Sequence, residues 1–171
     1  EFAASKGWKT AVLLKDTSIK YTQNQCAVVD KRFTELGGKV LQTYEYKQGD
    51  SIKETVSKIA SGTAPDVIFN CAYSPGGGQA AKEIRDGGLD QPIVSGFGMD
   101  GDFWVPAIEG LKDYYVVTYA SKNGDDPNAA VNAYAADYEA VYGNPPDVGG
   151  FVTGPTTLQV ILEAYKQAGS W

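Results

Sequence analysis

The sequence contains no histidine among its 171 residues. Histidine is the most common general base and metal ligand in proteins, so a catalytic or metal site would need other groups. The two cysteines, Cys26 and Cys71, do not make an ordinary structural zinc site without histidine. A disulfide between them is one alternative in an oxidising compartment, and two separate, half-buried residues is the interpretation we favour.

A basic stripe is also lacking. The fifteen Lys and Arg residues are scattered along the chain and the net charge is −6, whereas a nucleic-acid-binding protein needs clustered cations to neutralise phosphates. No apolar run reaches the roughly 18–20 residues that a membrane-spanning helix needs. With 43% apolar and 21% charged residues, the composition is that of a globular protein, and we expect no nucleic-acid partner.

Strand and helix patterns alternate along the first 120 residues. Short, mostly apolar segments bounded by polar residues predict strands at 9–15, 39–46, 66–72, 92–95 and 114–120. Helical segments at about 21–36, 51–60 and 79–86 separate them. This alternation is typical of the α/β class, with an open, mainly parallel sheet flanked by helices. Two further helices, at about 127–143 and 150–168, follow without an intervening strand, so the chain leaves the sheet there.

Three local patterns suggest how helices begin and end. Ser51 and Glu54 have the spacing of a capping box at the start of the second helix. Asp16 follows the first strand and is expected to cap the helix after it. The run Gly76–Gly78 is expected to form a flexible turn between a strand and a helix.

Three enzymatic interpretations are weaker than their structural alternatives. The glycine run before a helix resembles a phosphate cradle but lacks the Lys-Ser/Thr ending of a P-loop. Asp100 and Asp102 form a carboxylate pair without a third acid close by. Asp16 lacks the neighbouring acids of a phospho-acceptor site. We therefore expect a protein that is not an enzyme and uses no cofactor or metal.

Ligands of open parallel sheets bind at the carboxyl ends of the strands, where the loops converge. In this sequence those loops contain hydroxyls, glycines, aromatic rings and a few carboxylates; they are DTSIKY (16–21), AYSPGGG (72–78), GFGMDGDFW (96–104) and TYAS (118–121). Such groups can hydrogen-bond and stack on a small polar molecule. The loops offer no nucleophile with a neighbouring base.

The order of these segments resembles a known family. GWKTAVLLKDTSIKYTQ, KIASGTAPDVIFNCAYSPGGGQAAKEIRDGGLDQPIVSGFG and VTGPTTLQVILEAYKQAG occur in the arrangement of periplasmic binding proteins of the leucine–isoleucine–valine type. The resemblance covers nearly the whole chain, although no single motif decides it. It implies two α/β lobes that close on a ligand.

By this resemblance, residues 1–118 form the second ligand-binding lobe, and residues 119–171 form a hinge crossover and helices of the first lobe. Thr118 and Tyr119 lie at the expected hinge. Both ends of the chain interrupt helical patterns, so we expect a fragment that lacks the amino-terminal part of the first lobe. The helices of residues 127–168 would then miss their partners, and we expect the fragment to self-associate.

The resemblance also implies ligand-binding residues. The loop after the first strand places Ser18 and Tyr21 at the ligand, and the loop after the third strand places Ala72 and Tyr73 there. The family carries an acid in the loop after the fourth strand, which pairs with a ligand's ammonium group; Phe97 occupies that position here. Either Asp100 supplies the counter-charge, or the ligand is not an α-amino acid, because a buried ammonium without a partner is unfavourable.

The resemblance implies the substrate-binding component of an ABC transporter. Such a protein binds an amino acid or similar small molecule outside the cytoplasm, in the periplasm or anchored by lipid at the cell surface, and delivers it to a permease. One alternative is a ligand-sensing receptor or regulatory domain of the same fold. Another is a binder of aromatic or other non-amine solutes.

Overall fold

The computed structural model describes residues 1–169 of the chain. Its strands are β1 (Thr10–Asp16), β2 (Lys39–Tyr46), β3 (Val67–Cys71), β4 (Ile93–Ser95) and β5 (Tyr114–Val116). Its α-helices are α1 (Phe2–Ser5), α2 (Lys20–Glu35), α3 (Lys53–Ser61), α4 (Gly76–Asp86), α5 (Ala129–Tyr142) and α6 (Thr153–Ala168). Short 3-10 helices span Phe97–Met99, Val105–Ala107 and Gly149–Val152.

The strands form one sheet in the order β2-β1-β3-β4-β5, and every neighbouring pair is parallel. The predicted α/β class and open parallel sheet are therefore confirmed. Strand β2 has the predicted bounds, whereas β5 ends at Val116 rather than at residue 120. The register sets Asp16 opposite Tyr46 and Asn70 opposite Ser95.

The two faces of the sheet bury separate apolar clusters, because side chains alternate along each strand. Ala11, Leu13, Val67 and Phe69 pack against α1 and α2, together with Ala3, Cys26 and Phe33. Val12, Leu14, Ile68 and Ile93 pack against α3 and α4, together with Val56, Ile59, Ala80 and Ile84. All five residues of β3 are buried, as expected for a central strand covered on both faces.

The glycine run is not the flexible turn that the sequence suggested. Gly76, Gly77 and Gly78 are buried in the first turn of α4. A Cβ on Gly77 would lie 2.7 Å from the Cβ of Ala72, and one on Gly76 would lie 2.8 Å from Cγ of Gln48. Glycine is needed here because neighbouring side chains approach the helix backbone closely.

The predicted capping box at Ser51 and Glu54 is wrong. Glu54 instead pairs with Lys58 on its own helix, with 2.7 Å between the charged atoms. The buried carboxylate of Glu83, from α4, accepts hydrogen bonds from the Ile52 amide at 2.5 Å and the Ser51 hydroxyl at 3.1 Å. The free backbone amide at the start of α3 thus finds its hydrogen-bond acceptor on a side chain 31 positions away in the sequence. Spacing rules that act within a few residues do not predict such a contact.

The two cysteines form a disulfide, contrary to the separate residues that we favoured from the sequence. Cys26 on α2 and Cys71 at the end of β3 are 2% and 1% exposed, and their Cα atoms lie 5.4 Å apart. The bond closes a loop across a sequence separation of 45 residues. In the loop-entropy model a closure of this length stabilises the folded state by about 4 kcal/mol.

The chain divides into two compact units. The first contains Glu1–Met99 and Phe103–Val117, and the second contains Asp100–Asp102 with the chain from Thr118 onward. The assignment of residues 119–171 to another lobe and the self-association of the chain stay predictions.

The second unit is mainly helical. The Asn128 side chain accepts a hydrogen bond from the Ala130 amide at the start of α5, and Gly143 ends that helix with φ of 76°. Tyr134 on α5 stacks on Phe151, with ring centroids 5.5 Å apart. Helix α6 buries none of its described side chains.

Candidate ligand-binding site

Two tyrosines lie together at the carboxyl ends of the central strands. Tyr21, in the first turn of α2, and Tyr73, just after β3, meet edge to face with ring centroids 6.5 Å apart. Their exposed fractions are 40% and 49%. The pair thus offers an open aromatic surface at the edge of the sheet where ligands of parallel α/β folds bind.

Gly98 connects this pair to the loop after β4. The Gly98 amide donates a hydrogen bond to the Tyr21 hydroxyl at 3.0 Å, and its carbonyl accepts one from the Ser74 amide at 3.0 Å. A Cβ on Gly98 would lie 2.6 Å from the Ala72 carbonyl oxygen, 2.9 Å from the Tyr21 ring and 3.0 Å from the Tyr73 ring. Three loops therefore converge on one glycine that has no room for a side chain.

The other predicted residues of these loops differ in how much surface they offer. Ala72 is fully buried, its backbone included, and its role in the site stays a prediction. Phe97 begins the 3-10 helix next to Gly98 and is half-buried. That turn is closed by a bond from the Met99 amide to the Gly96 carbonyl at 3.0 Å.

Ser18 and Asp16 shape the loop after β1. The Asp16 carboxylate accepts a hydrogen bond from the Ser18 amide at 2.8 Å, and helix α2 begins with Ile19 at its N-cap position. The expectation that Asp16 caps the helix is therefore wrong, because its side chain closes a local turn instead. The exposed Ser18 hydroxyl accepts a bond from the Gln48 amide at 2.8 Å and can still donate one.

A buried polar row lies below these loops on the α4 face of the sheet. The Asn70 side chain accepts a bond from the Tyr46 hydroxyl at 3.1 Å and donates to the Gly77 carbonyl at 3.1 Å and the Tyr114 hydroxyl at 3.3 Å. Ser95 donates to the Asn70 carbonyl at 2.7 Å. Four neighbouring residues on β2, β4, β5 and α4 are thus joined through one asparagine.

Burial raises the pKa of both tyrosines in this row. The pKa of Tyr114 rises to about 12, because desolvation of the phenolate outweighs the hydrogen bonds with Ser95 and Asn70, which lower the pKa. The pKa of Tyr46 is raised further by burial, with the nearby Asp16 carboxylate adding to the effect. Both hydroxyls are therefore neutral hydrogen-bonding groups at physiological pH.

Asp100, Thr118 and Tyr119 belong to the second unit. The Asp100 carboxylate accepts bonds from the Gly101 amide at 2.9 Å and the Thr118 hydroxyl at 2.7 Å. Both Asp100 oxygens thus have partners within that unit. Thr118 and Tyr119 are exposed, and their role as a hinge stays a prediction.

An apolar cavity of about 540 Å³ also lies in the first unit, between α2, α1 and the strands β3 and β4. Its apolar lining includes Val28, Phe33, Phe69 and Val94. Of the predicted ligand-binding residues, only Tyr21 borders it, so we place the candidate site at the loops rather than in this cavity.

The sequence did not reveal Gly98 and Asn70 as parts of this region. Gly98 carries a weak signal, since it closes the Gly-Phe-Gly pattern after β4. Asn70 carries a clearer one, because a lone amide in an otherwise apolar strand must find buried partners. Within residues 1–169 no group of three or more Cys, Asp or Glu side chains could hold a metal ion.

The tyrosine pair lies at the sheet edge where ligands of parallel α/β folds bind, and a family model for the periplasmic binding proteins matches residues 1–170. This chain belongs to the periplasmic binding protein family. The family consists of solute-binding proteins rather than enzymes, as the sequence led us to expect. Family membership implies a location outside the cytoplasm.

Solved structures show the same fold. A leucine binding protein, LivK, from Thermotoga maritima superimposes with a TM-score of 0.82 over 98% of this chain at 23% identity. LivJ from Streptococcus pneumoniae, in complex with isoleucine, gives 0.70 over 84% at 23% identity. An ABC transporter solute-binding protein from R. palustris, in complex with benzoate, gives 0.67 over 90% at 25% identity.

The chain spans less than half the length of these structures: 47% of LivK, 41% of LivJ and 43% of the benzoate-binding protein. No curated protein sequence matches the chain. Among the helices that the structure describes, none has the length and apolar character needed to cross a bilayer.

The close packing around Gly98 gives a first prediction. The Gly98→Ala variant should lose about 1–3 kcal/mol of stability, because its methyl group must displace the Ala72 carbonyl or the tyrosine rings. Chemical denaturation measures the loss, and near-ultraviolet circular dichroism reports the tyrosine pair. Gly154→Ala is the matched control, since its Cβ meets no atom within 4 Å. Equal stability of the two variants would contradict the prediction.

A second prediction concerns the buried polar row. Asn70→Ala removes the partner of the buried Tyr46 hydroxyl and one hydrogen bond each from the Gly77 carbonyl and the Tyr114 hydroxyl, which keeps its contact with Ser95 at 2.7 Å, so we expect a loss of about 2–4 kcal/mol. Tyr46→Phe removes one hydroxyl and should lose about 1–2 kcal/mol. Urea unfolding of both variants measures the difference. An Asn70→Ala variant within about 1 kcal/mol of the wild type would show that the row contributes little.

The raised pKa values of Tyr46 and Tyr114 predict that the folded protein loses stability at alkaline pH. In the folded state Tyr114 keeps its proton up to about pH 12, whereas an unfolded tyrosine loses its proton near pH 10. The free energy of unfolding therefore has its full value below pH 10 and decreases between pH 10 and pH 12. Spectrophotometric titration of the eleven tyrosines should show a late step to which the buried Tyr46 and Tyr114 contribute. Tyr114→Phe should make this late step smaller. A single step for all of them near pH 10 would refute this.

Proposed function

We propose that this chain is part of the substrate-binding component of an ABC transporter. It binds an amino acid or a similar small molecule in a cleft between two lobes. The observation that carries this proposal is the convergence of three strand-end loops on Gly98, which holds the exposed rings of Tyr21 and Tyr73 at one edge of the sheet. Structural relatives that bind leucine, isoleucine and benzoate support it.

In the proposed site the residues have distinct roles. Tyr21 and Tyr73 supply an aromatic surface, and Ser18 supplies a hydroxyl that still has a proton to donate. Phe97 packs against the apolar part of the ligand, and Asp100 is the candidate partner for a ligand's ammonium group.

A second ligand class, aromatic or other non-amine solutes, is favoured by two observations. Phe97 stands where the family's acid pairs with an ammonium group. Both carboxylate oxygens of Asp100 already accept hydrogen bonds, from Gly101 and Thr118. A ligand without an ammonium group needs no buried counter-charge and can stack on the aromatic side chains.

The proposal also includes a partner and a location. The closed, ligand-loaded protein delivers its solute to a membrane permease, and Thr118 and Tyr119 belong to the hinge that permits closure. The protein is placed in the periplasm or held at the cell surface by a lipid. These features rest on the family, and a pull-down of the permease from detergent-solubilised membranes would test the partnership.

The ligand class is tested by thermal shift and calorimetry on the full-length protein with leucine, isoleucine, phenylalanine and benzoate. A ligand at a hundredfold excess over Kd stabilises by about 2.7 kcal/mol, so a true ligand gives a clear shift. Binding of none of these compounds, nor of related carboxylic acids and amides, would count against the transport function.

The Phe97→Glu variant separates the two ligand classes. A carboxylate at this position should weaken benzoate binding at least 100-fold by repulsion and desolvation, and strengthen binding of an amino acid by pairing with its ammonium group. Phe97→Leu is the matched control and should keep the preference of the wild type. Unchanged affinity for both ligand classes in Phe97→Glu would remove Phe97 from the site.

A further inference from the structure

The disulfide lies directly beneath the tyrosine pair. Cys26 follows Tyr21 by five positions on α2, and Cys71 is the last residue of β3, two positions before Tyr73. Both sulfurs are buried in the apolar cluster between α2 and the sheet. The bond therefore joins the helix that carries one ring of the pair to the strand that carries the other.

The other contacts at the start of α2 hold the helix to a different strand. The buried Thr22 hydroxyl donates to the Asp16 carbonyl at 2.6 Å, and the Gln23 side chain donates to the Thr17 carbonyl at 2.7 Å. Both bonds reach the loop after β1. The tie from this part of α2 to β3 is the disulfide, and the edge contact of the exposed rings lies above it.

The geometry of the pair is sensitive to small movements of α2. The Tyr21 hydroxyl accepts a hydrogen bond from the Gly98 amide at 3.0 Å, and Gly98 lies so close to the Tyr21 ring, the Tyr73 ring and the Ala72 carbonyl that a Cβ would not fit. Hydrogen bonds weaken steeply when distance and angle change. A shift of α2 along β3 would therefore break this bond and separate the two rings.

We propose that the Cys26–Cys71 disulfide is a positioning element of the ligand site, which holds Tyr21 in register with Tyr73 and Gly98 before the ligand arrives. This inference rests on the proposed function. A preformed surface binds more tightly because less conformational freedom is lost on binding. The bond does not touch the ligand, so its removal should reduce affinity without changing the order of preferred ligands.

The test compares the Cys26→Ala/Cys71→Ala variant with wild type and with Phe33→Leu in the full-length protein. Phe33 lies on the same helix and meets Phe69 of β3 edge to face, with ring centroids 5.3 Å apart, so its variant weakens the noncovalent packing of α2 on β3 but keeps the disulfide. Calorimetry well below the unfolding temperature should give a Kd about 10-fold higher for the double variant. We expect less than a twofold change for Phe33→Leu.

A second readout needs no ligand. Hydrogen exchange of the Gly98 amide, measured by NMR on the unliganded protein, should be at least 10-fold faster in the double variant than in wild type and in Phe33→Leu. The reference is the Lys39 amide, which donates a hydrogen bond to the Lys9 carbonyl at 2.8 Å at the amino ends of β1 and β2. It should exchange at the same rate in all three proteins.

The outcomes separate this inference from the proposed function. If the wild type binds none of the tested ligands, the transport proposal fails, while Gly98 exchange still decides whether the disulfide positions the pair. Unchanged Gly98 exchange in the double variant, or the same change in Phe33→Leu, overturns the inference. If the double variant does not fold, the wild type is reduced under native conditions and measured in its place. Alkylation followed by mass spectrometry then verifies that both thiols are free.

Discussion

The arrangement of this sheet depends on one buried asparagine. Asn70 lies fully buried near the carboxyl end of the central strand β3, where an amide without partners would be strongly unfavourable. Its side chain and carbonyl are bound by Tyr46 on β2, Gly77 on α4, Tyr114 on β5 and Ser95 on β4. Because hydrogen bonds are directional, these contacts fix strand ends that apolar packing alone would leave free to slide.

The loops next to this polar row are positioned by glycine backbone that lies very close to neighbouring atoms. Gly77 and Gly98 each face atoms that a Cβ would meet at less than 3 Å, so the backbone itself is part of the packing. The disulfide also links α2 to β3 covalently. A well-supported aromatic pair suits the proposed binding of a solute, because a preorganised surface loses less conformational freedom when the ligand binds.

The charged groups near these loops limit the kinds of ligand that the loops can bind. The described strand-end loops of the first unit present aromatic rings, a hydroxyl and backbone groups, and the buried Asp16 carboxylate is turned to the loop's own amide. Since Asp16 is 1% exposed and one of its carboxylate oxygens is held by the Ser18 amide, these loops expose no carboxylate of the first unit to a cationic group on a ligand. An apolar or aromatic body stacking on Tyr21, Tyr73 and Phe97 needs none, and this contrast separates the two ligand classes in physical terms.

The sequence by itself determined the elements whose signals are local. Alternating and helical periodicity located β2 at Lys39–Tyr46 and predicted a helix at about 127–143, where α5 spans Ala129–Tyr142. The order of segments indicated the family and the loops that hold Tyr21 and Tyr73. Tertiary structure alone decided which distant groups meet. Glu83 replaced the local cap at Ser51, Cys26 joined Cys71, and Gly98 closed on Tyr21 across 77 positions. Periodicity and caps act within a few residues, whereas these contacts arise only when parallel strands bring remote loops to the same edge of the sheet.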